Sequence, residues 1–144
     1  MTVKYKKLRQ GAKAPEYQSE CAAGADLYAC LDEPVQINPC ETFMIPTGLA
    51  MEIPQGHAGL IFARSSMGVK RDLAPANKVG VIDADYRGEF MVALHNHGKQ
   101  VQTVAPGERI AQLVIVPVLT PGFQEVAELS STVRGTGGFG STGK

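Results

Sequence analysis

The apolar residues of this chain fall in short groups separated by turn-forming residues. Val3–Leu8 alternates apolar and polar positions, and Asp26–Ala29 follows a glycine. Val35–Ile37 and Phe43–Ile45 are brief apolar pieces bounded by proline, and Gly48–Ile53 ends at a Pro-Gln-Gly turn. Ala58–Ala63 and Phe90–His95 have strand length, and Ile110–Val116 runs almost unbroken to Pro117, as a buried strand would. Pro106-Gly107 and Pro121-Gly122 punctuate the later part. Segments this short, at this spacing, predict an all-β, helix-poor fold of the sandwich, jelly-roll or barrel kind. The one helical prospect is a turn or so within Ser65–Arg71, weakened by Gly68. No internal repeat is evident.

Composition narrows the picture. A chain of 144 residues suits one domain with a real core, and 44% hydrophobic content excludes a disordered chain. Fourteen Lys and Arg cancel fourteen Asp and Glu, which speaks against gripping nucleic acid by overall charge. No apolar run approaches the roughly 20 residues of a membrane span. The basic start, MTVKYKKLRQG, lacks the apolar stretch of a signal peptide. Cys21, Cys30 and Cys40 are odd in number and form no C-x-x-C pair. They predict inert packing thiols in a reduced, cytoplasmic setting.

The zero total hides local excesses. Residues 64–80 carry four bases against one acid, and 134–144 carry two bases and no acid. Five of the sixteen glycines lie in the final ten residues. Such a stretch cannot bury a core, so it is either a frayed tail or a flexible arm that orders on a ligand. Gly-rich backbone N–H groups can cradle phosphates, and this favours looking for an anion.

Four constellations could meet such an anion. Arg64-Ser65-Ser66-Met67-Gly68 offers a guanidinium fork and hydroxyl donors, though a capped turn would use the same residues. In Gly80–Glu89 a strand enters a turn rich in Asp and Gly and returns through Phe90–Leu94, which predicts a hairpin. Asp83 there is either a turn former or a base at a pocket mouth, able to take a proton from water. Tyr86 could pack its ring on a sugar or base. Gln112, polar within the apolar run of Arg109–Leu113, needs partners from backbone or ligand. Asn77 carries both donor and acceptor, as a nucleobase edge requires, or is simply a loop residue. His95 and His97 form an H-x-H on one strand face, without a third ligand placed by sequence.

Taken in order, these segments resemble the five motifs of the trimeric dUTPase family. Ala23–Ala29 is similar to the first, Arg64–Gly68 to the second and Gly80–Glu89 to the third. Arg109–Leu113 resembles the fourth, and the RGTGGFGSTG of 134–143 the fifth. The resemblance implies a distorted jelly roll over 1–133 with a C-terminal arm, 134–144, closing over an active site. It implies a homotrimer with sites shared between subunits. The implied reaction is Mg2+-dependent hydrolysis of dUTP to dUMP and pyrophosphate, limiting uracil in DNA and supplying dUMP for dTMP synthesis. By position Asp83 would activate the water, and Tyr86 would stack on deoxyribose and exclude a 2′-hydroxyl. Asn77, with Gly80, Val81, Ile82 and Met91, would read uracil. Arg64, Ser65, Ser66 and Gln112 would hold phosphates, and Asp26 would assist the metal through water. From the arm, Arg134, Ser141 and Thr142 would clamp the terminal phosphates, and Phe139 would cover the base. A dCTP deaminase of similar fold would need a Glu where Ala93 stands. A dUTP-binding regulator without turnover would not need Asp83.

Overall fold

A computed structural model of the chain describes residues 1–138. Ten strands and one short helix follow one another as β1 (Lys4–Lys7), β2 (Ala25–Tyr28), β3 (Val35–Ile37), β4 (Thr42–Glu52), β5 (His57–Phe62), α1 (Ser65–Arg71), β6 (Leu73–Pro75), β7 (Gly80–Ile82), β8 (Glu89–Asn96), β9 (Gln102–Val104) and β10 (Arg109–Pro117). Two four-stranded antiparallel sheets, ordered β1-β4-β8-β6 and β2-β10-β5-β7, are accompanied by a separate two-stranded β3-β9 sheet. The chain crosses from one large sheet to the other repeatedly, the habit of a jelly roll. The sheets do not close on themselves, so of the predicted alternatives the molecule is a sandwich and not a barrel.

The core lies between the two sheets. Leu27, Ile61, Ile110 and Leu113 from one sheet meet Ile45, Leu49, Met51, Phe90, Val92 and Leu94 from the other in a single buried cluster. β8 shows why the sequence specifies this: Phe90, Val92, Leu94 and Asn96 alternate inward with period two. Asn96 takes a hydrophobic position in that pattern and is fully buried. It remains stable there because its amide donates to the carbonyls of Ile37 (2.9 Å) and Gln100 (2.8 Å), and its oxygen accepts the Gly98 N–H (2.9 Å).

Several expectations change. The two pieces Phe43–Ile45 and Gly48–Ile53 are one strand, β4, whose pairing with β8 shifts register between Pro46 and Ala50. Proline cannot donate to a ladder, and the irregularity accommodates it. Gly48 turns there at φ +69, and a side chain at this position would strike Ala12 and the Cys30 sulfur. Gly48→Ala is therefore expected to cost about 2 kcal/mol or more in a denaturant titration, without a change in slope. The helical turn is a seven-residue helix, anchored by buried Met67 and closed by Asp72 at φ 52, with Lys70 and Arg71 favourably in its last turn.

The predicted hairpin is not one. β7 pairs with β5, whereas β8 pairs with β4 and β6, so the turn 83–88 passes from one sheet to the other. Periodicity sets which face of a strand is buried, not which strand it joins. The thiols also differ from the packing expectation: Cys21 and Cys40 are exposed, in a loop and a positive-φ turn, and only Cys30 packs against the core. Its burial pushes the Cys30 thiol above the ordinary value. After Pro117 the described residues form neither helix nor strand, and Leu119, Phe123, Leu129 and Val133 are almost wholly exposed. No helix among the described residues is long and apolar enough to cross a membrane.

Candidate active site

The turn between the sheets builds a cleft. Val81, Ile82, Asp83, Tyr86 and Met91 line a space of about 340 Å3 together with Met44 and Glu89. Asp83 also borders a neighbouring cleft of about 670 Å3, with His57, Ala58 and Val118. It stands on the rim between two spaces, where a water and a ligand could both reach it. The turn is held by its own groups: the Tyr86 N–H donates to the Asp83 carbonyl (3.2 Å), and the Arg87 guanidinium to the Ala84 carbonyl (2.7 Å). The Tyr86 hydroxyl donates to the Glu89 carbonyl (3.0 Å). The Glu89 carboxylate accepts from the Gly48 N–H (2.8 Å) and from Arg9 (3.0 Å), so it is an anchor.

Asn77 sits on a tight turn that hangs from β8 through the Ala76 N–H and the Ala93 carbonyl (2.8 Å). Its amide nitrogen lies 3.7 Å from the place a Cβ would take on Gly80, an ordinary contact distance that sets the amide against the start of β7. Asn77 thus adjoins the start of β7, the strand whose Val81 and Ile82 line the cleft.

The Arg64–Ser66 loop belongs to a different corner. Arg64 Nε donates to Asp26 Oδ1 (2.8 Å), and Arg109 donates to Asp26 Oδ2 (3.2 Å) and to Gln18 (3.0 Å). The Asp26 side chain is only 7% exposed, and a carboxylate this buried is stable only when paired. Two guanidiniums on one carboxylate leave a net positive corner beside Ser66, whose hydroxyl Arg64 also reaches at 3.4 Å. Gln112 resolves its need for partners through the backbone, donating to the Ala63 carbonyl (3.0 Å) and steadying the approach to the loop. Its oxygen lies 2.8 Å from the place of a Cβ on Gly24, so a larger residue there would have to displace the Gln112 side chain.

The two corners are far apart. In the β5–β7 ladder Gly80 lies beside Ile61, and Ile82 beside Gly59. Continuing that register sets Asp83 beside Ala58, with which it shares a cleft wall. Arg64 lies six residues further along the chain, roughly 20 Å at a strand's rise of about 3.3 Å per residue. From Gly80 to Asp83 the site runs away from its own Arg64.

Other sequence candidates fall elsewhere. Arg134 lies in the segment after the last strand, with Nε donating to the Gly137 carbonyl (2.8 Å). Phe139, Ser141 and Thr142 lie outside the described residues. The His95 and His97 rings stand 4.4 Å apart, His95 against Thr42 and His97 against Lys78. Burial, then the charges of Lys78 and His95, lower the His97 pKa. Sequence reasoning missed Met44, Glu89, Arg109 and Gln18. Arg109, a charge heading an apolar run, was the one with a visible signal.

The donor set bears on a metal. Among the described residues no three His, Cys, Asp or Glu cluster as a cation cage. Both Asp26 oxygens face guanidiniums, leaving contact through water as its route to an ion. This fits magnesium that arrives on phosphate oxygens and keeps its waters, as that ion prefers.

The chain as a whole resembles known proteins. Residues 10–143 match the dUTPase family model. A deoxyuridine 5′-triphosphate nucleotidohydrolase of Janthinobacterium sp. (strain Marseille) is 50% identical over 137 residues, covering 94% of this chain and 92% of the relative. One of Neisseria gonorrhoeae (strain NCCP11945) is 50% identical over 130 residues, covering 90% and 87%. Among solved structures, the Staphylococcus bacteriophage 80alpha dUTPase with dUpNHpp superposes with a TM-score of 0.90 at 32% identity, covering 99% of both chains. A variant dUTPase from phage phi11 of S. aureus, described with a structural Mg(II) ion, superposes at 0.82 with 28% identity, covering 91% of this chain and 100% of that one.

Proposed function

The chain belongs to the dUTPase family, and on that premise we propose how its residues share the hydrolysis of dUTP, its reaction as a dUTP diphosphatase. The observation that carries the proposal is the cleft that gathers Val81, Ile82, Asp83, Tyr86 and Met91. Uracil lies along the edge formed by Asn77, Gly80, Val81, Ile82 and Met91. The backbone there offers donors and acceptors in fixed places, and a base with the wrong edge leaves buried groups unpaired, which can cost a factor of about 10⁴ or more. Tyr86 packs on the deoxyribose and fills the space of a 2′-hydroxyl. Asp83 takes a proton from water as the water oxygen bonds to the α-phosphorus. The bond from that phosphorus to the bridging oxygen breaks, and pyrophosphate leaves.

The triphosphate needs cationic and N–H partners in this step, because the attacked phosphorus is shielded by negative charge. Arg64, Ser65 and Ser66 supply them. Gln112 contributes the amide hydrogen not used by Ala63, since a carboxamide carries two. Mg2+, the family's ion, neutralises phosphate charge when bound, and Asp26 would hold it through water. Arg134, Ser141 and Thr142 clamp the terminal phosphates from the arm 134–144, and Phe139 covers the base.

This assignment requires more than one copy. With Asp83 and Arg64 at opposite ends of β5, a single chain cannot offer both to one triphosphate. We assign the working form as a homotrimer, a number implied by the family and not by this separation, in which one subunit supplies Asp83 and another Arg64. A cytoplasmic location accords with three unpaired cysteines.

A nucleotide panel read by pyrophosphate release tests the function. Turnover of dUTP with dTTP, dCTP and UTP spared is the expected result. Comparable turnover of UTP would remove Tyr86 from its role, and ammonia release from dCTP would mark a deaminase.

A further inference from the structure

We propose that Gly88 sets the discrimination against ribonucleotides, acting as a positioning residue that seats the Tyr86 phenol. The proposal rests on the reading of Tyr86 as the wall against the sugar's 2′ position. A Cβ at residue 88 would clash with the Tyr86 hydroxyl, and would lie 2.6 Å from its Cζ and 2.9 Å from its Cε2. Side-chain carbons do not approach so closely, so one of the two groups must move. The phenol is the part that yields: Tyr86 is 43% exposed, and the clashing atoms are at the far end of its side chain.

The usual reason for glycine in such a turn is a left-handed backbone. It does not apply here, because Gly88 is absent from the positive-φ residues. What the position requires is empty space. The phenol lies back over that space, and its hydroxyl donates a hydrogen bond to the Glu89 carbonyl (3.0 Å). Glu89 is in turn fixed by the Gly48 N–H and Arg9. A hydrogen and a hydroxyl on a sugar carbon differ by one heavy atom, so a ring shift of that size is enough to open or misplace the wall.

The test compares kcat/KM for dUTP and UTP in Gly88→Ala, Tyr86→Ala and the double variant. Gly88→Ala is expected to lower the dUTP-to-UTP ratio about tenfold or more, with a thermal midpoint within about 4 °C of the parent. In the Tyr86→Ala background, adding Gly88→Ala should change the ratio by less than about twofold, since the coupling partner is gone. An unchanged ratio in Gly88→Ala, beside a lowered one in Tyr86→Ala, overturns the role of Gly88 alone. An equal loss in both backgrounds does the same, as does a Gly88→Ala chain that fails to fold. An unchanged ratio in Tyr86→Ala removes the sugar wall itself.

Discussion

Asp83→Asn should bind dUTP with nearly unchanged affinity and turn it over at least about 10² more slowly. The amide has almost the same shape, and it lies on a turn held by the Tyr86 N–H and the Arg87 guanidinium through contacts that do not use the Asp83 side chain. Folding and the cleft should therefore survive. What disappears is the acceptor for the water's proton, a transition-state role, so the loss belongs in kcat and not in binding. Single-turnover kinetics alongside equilibrium binding of a non-hydrolysable analogue would separate the two. A variant as fast as the parent would dismiss Asp83 as the base.

A mixture of two dead proteins should be alive. Arg64→Gln removes the phosphate fork, and Asp83→Asn removes the base, so each alone should be nearly inactive. If every site draws Asp83 from one subunit and Arg64 from the next, subunits reassembled at equal ratio leave some sites with both native residues. Each requirement is met half the time, which predicts recovery of about a quarter of parental activity. A site contained within one chain would recover nothing. The experiment thus tests the roughly 20 Å separation along β5 that motivates a shared site. Arg64→Gln also leaves Asp26 with only Arg109, so its thermal midpoint should be recorded in parallel.

Much of the architecture was legible because strands advertise themselves by period two. β3 coincides with its predicted span, and β5, β8 and β10 differ only by a residue or so at their ends. The partnership of strands was not legible. Nothing in Gly80–Ile82 says that it joins β5 and leaves β8 to another sheet. The site residues of the turn could be singled out because Asp, Tyr and Gly there are chemically conspicuous. Arg64 and Asp26 could be singled out too, but not their pairing, since Asp26 meets Arg64 and Arg109 across 38 and 83 residues of chain. Asn96 is a similar case: its place in the β8 rhythm reads as core, and only its three hydrogen bonds explain an amide there.

The passage of residues 83–88 between the sheets has a wider meaning. One end of this segment is bolted to the layer of β5 and the other to the layer of β4. The gap between Asp83 and the anchored phenol is thereby tied to the thickness of the hydrophobic filling, to Phe90 and Leu27 and the residues packed with them. Close-packed interiors transmit small volume changes as displacement. Selection for rate can therefore act on side chains that never meet a nucleotide, by adjusting the spacing of two walls.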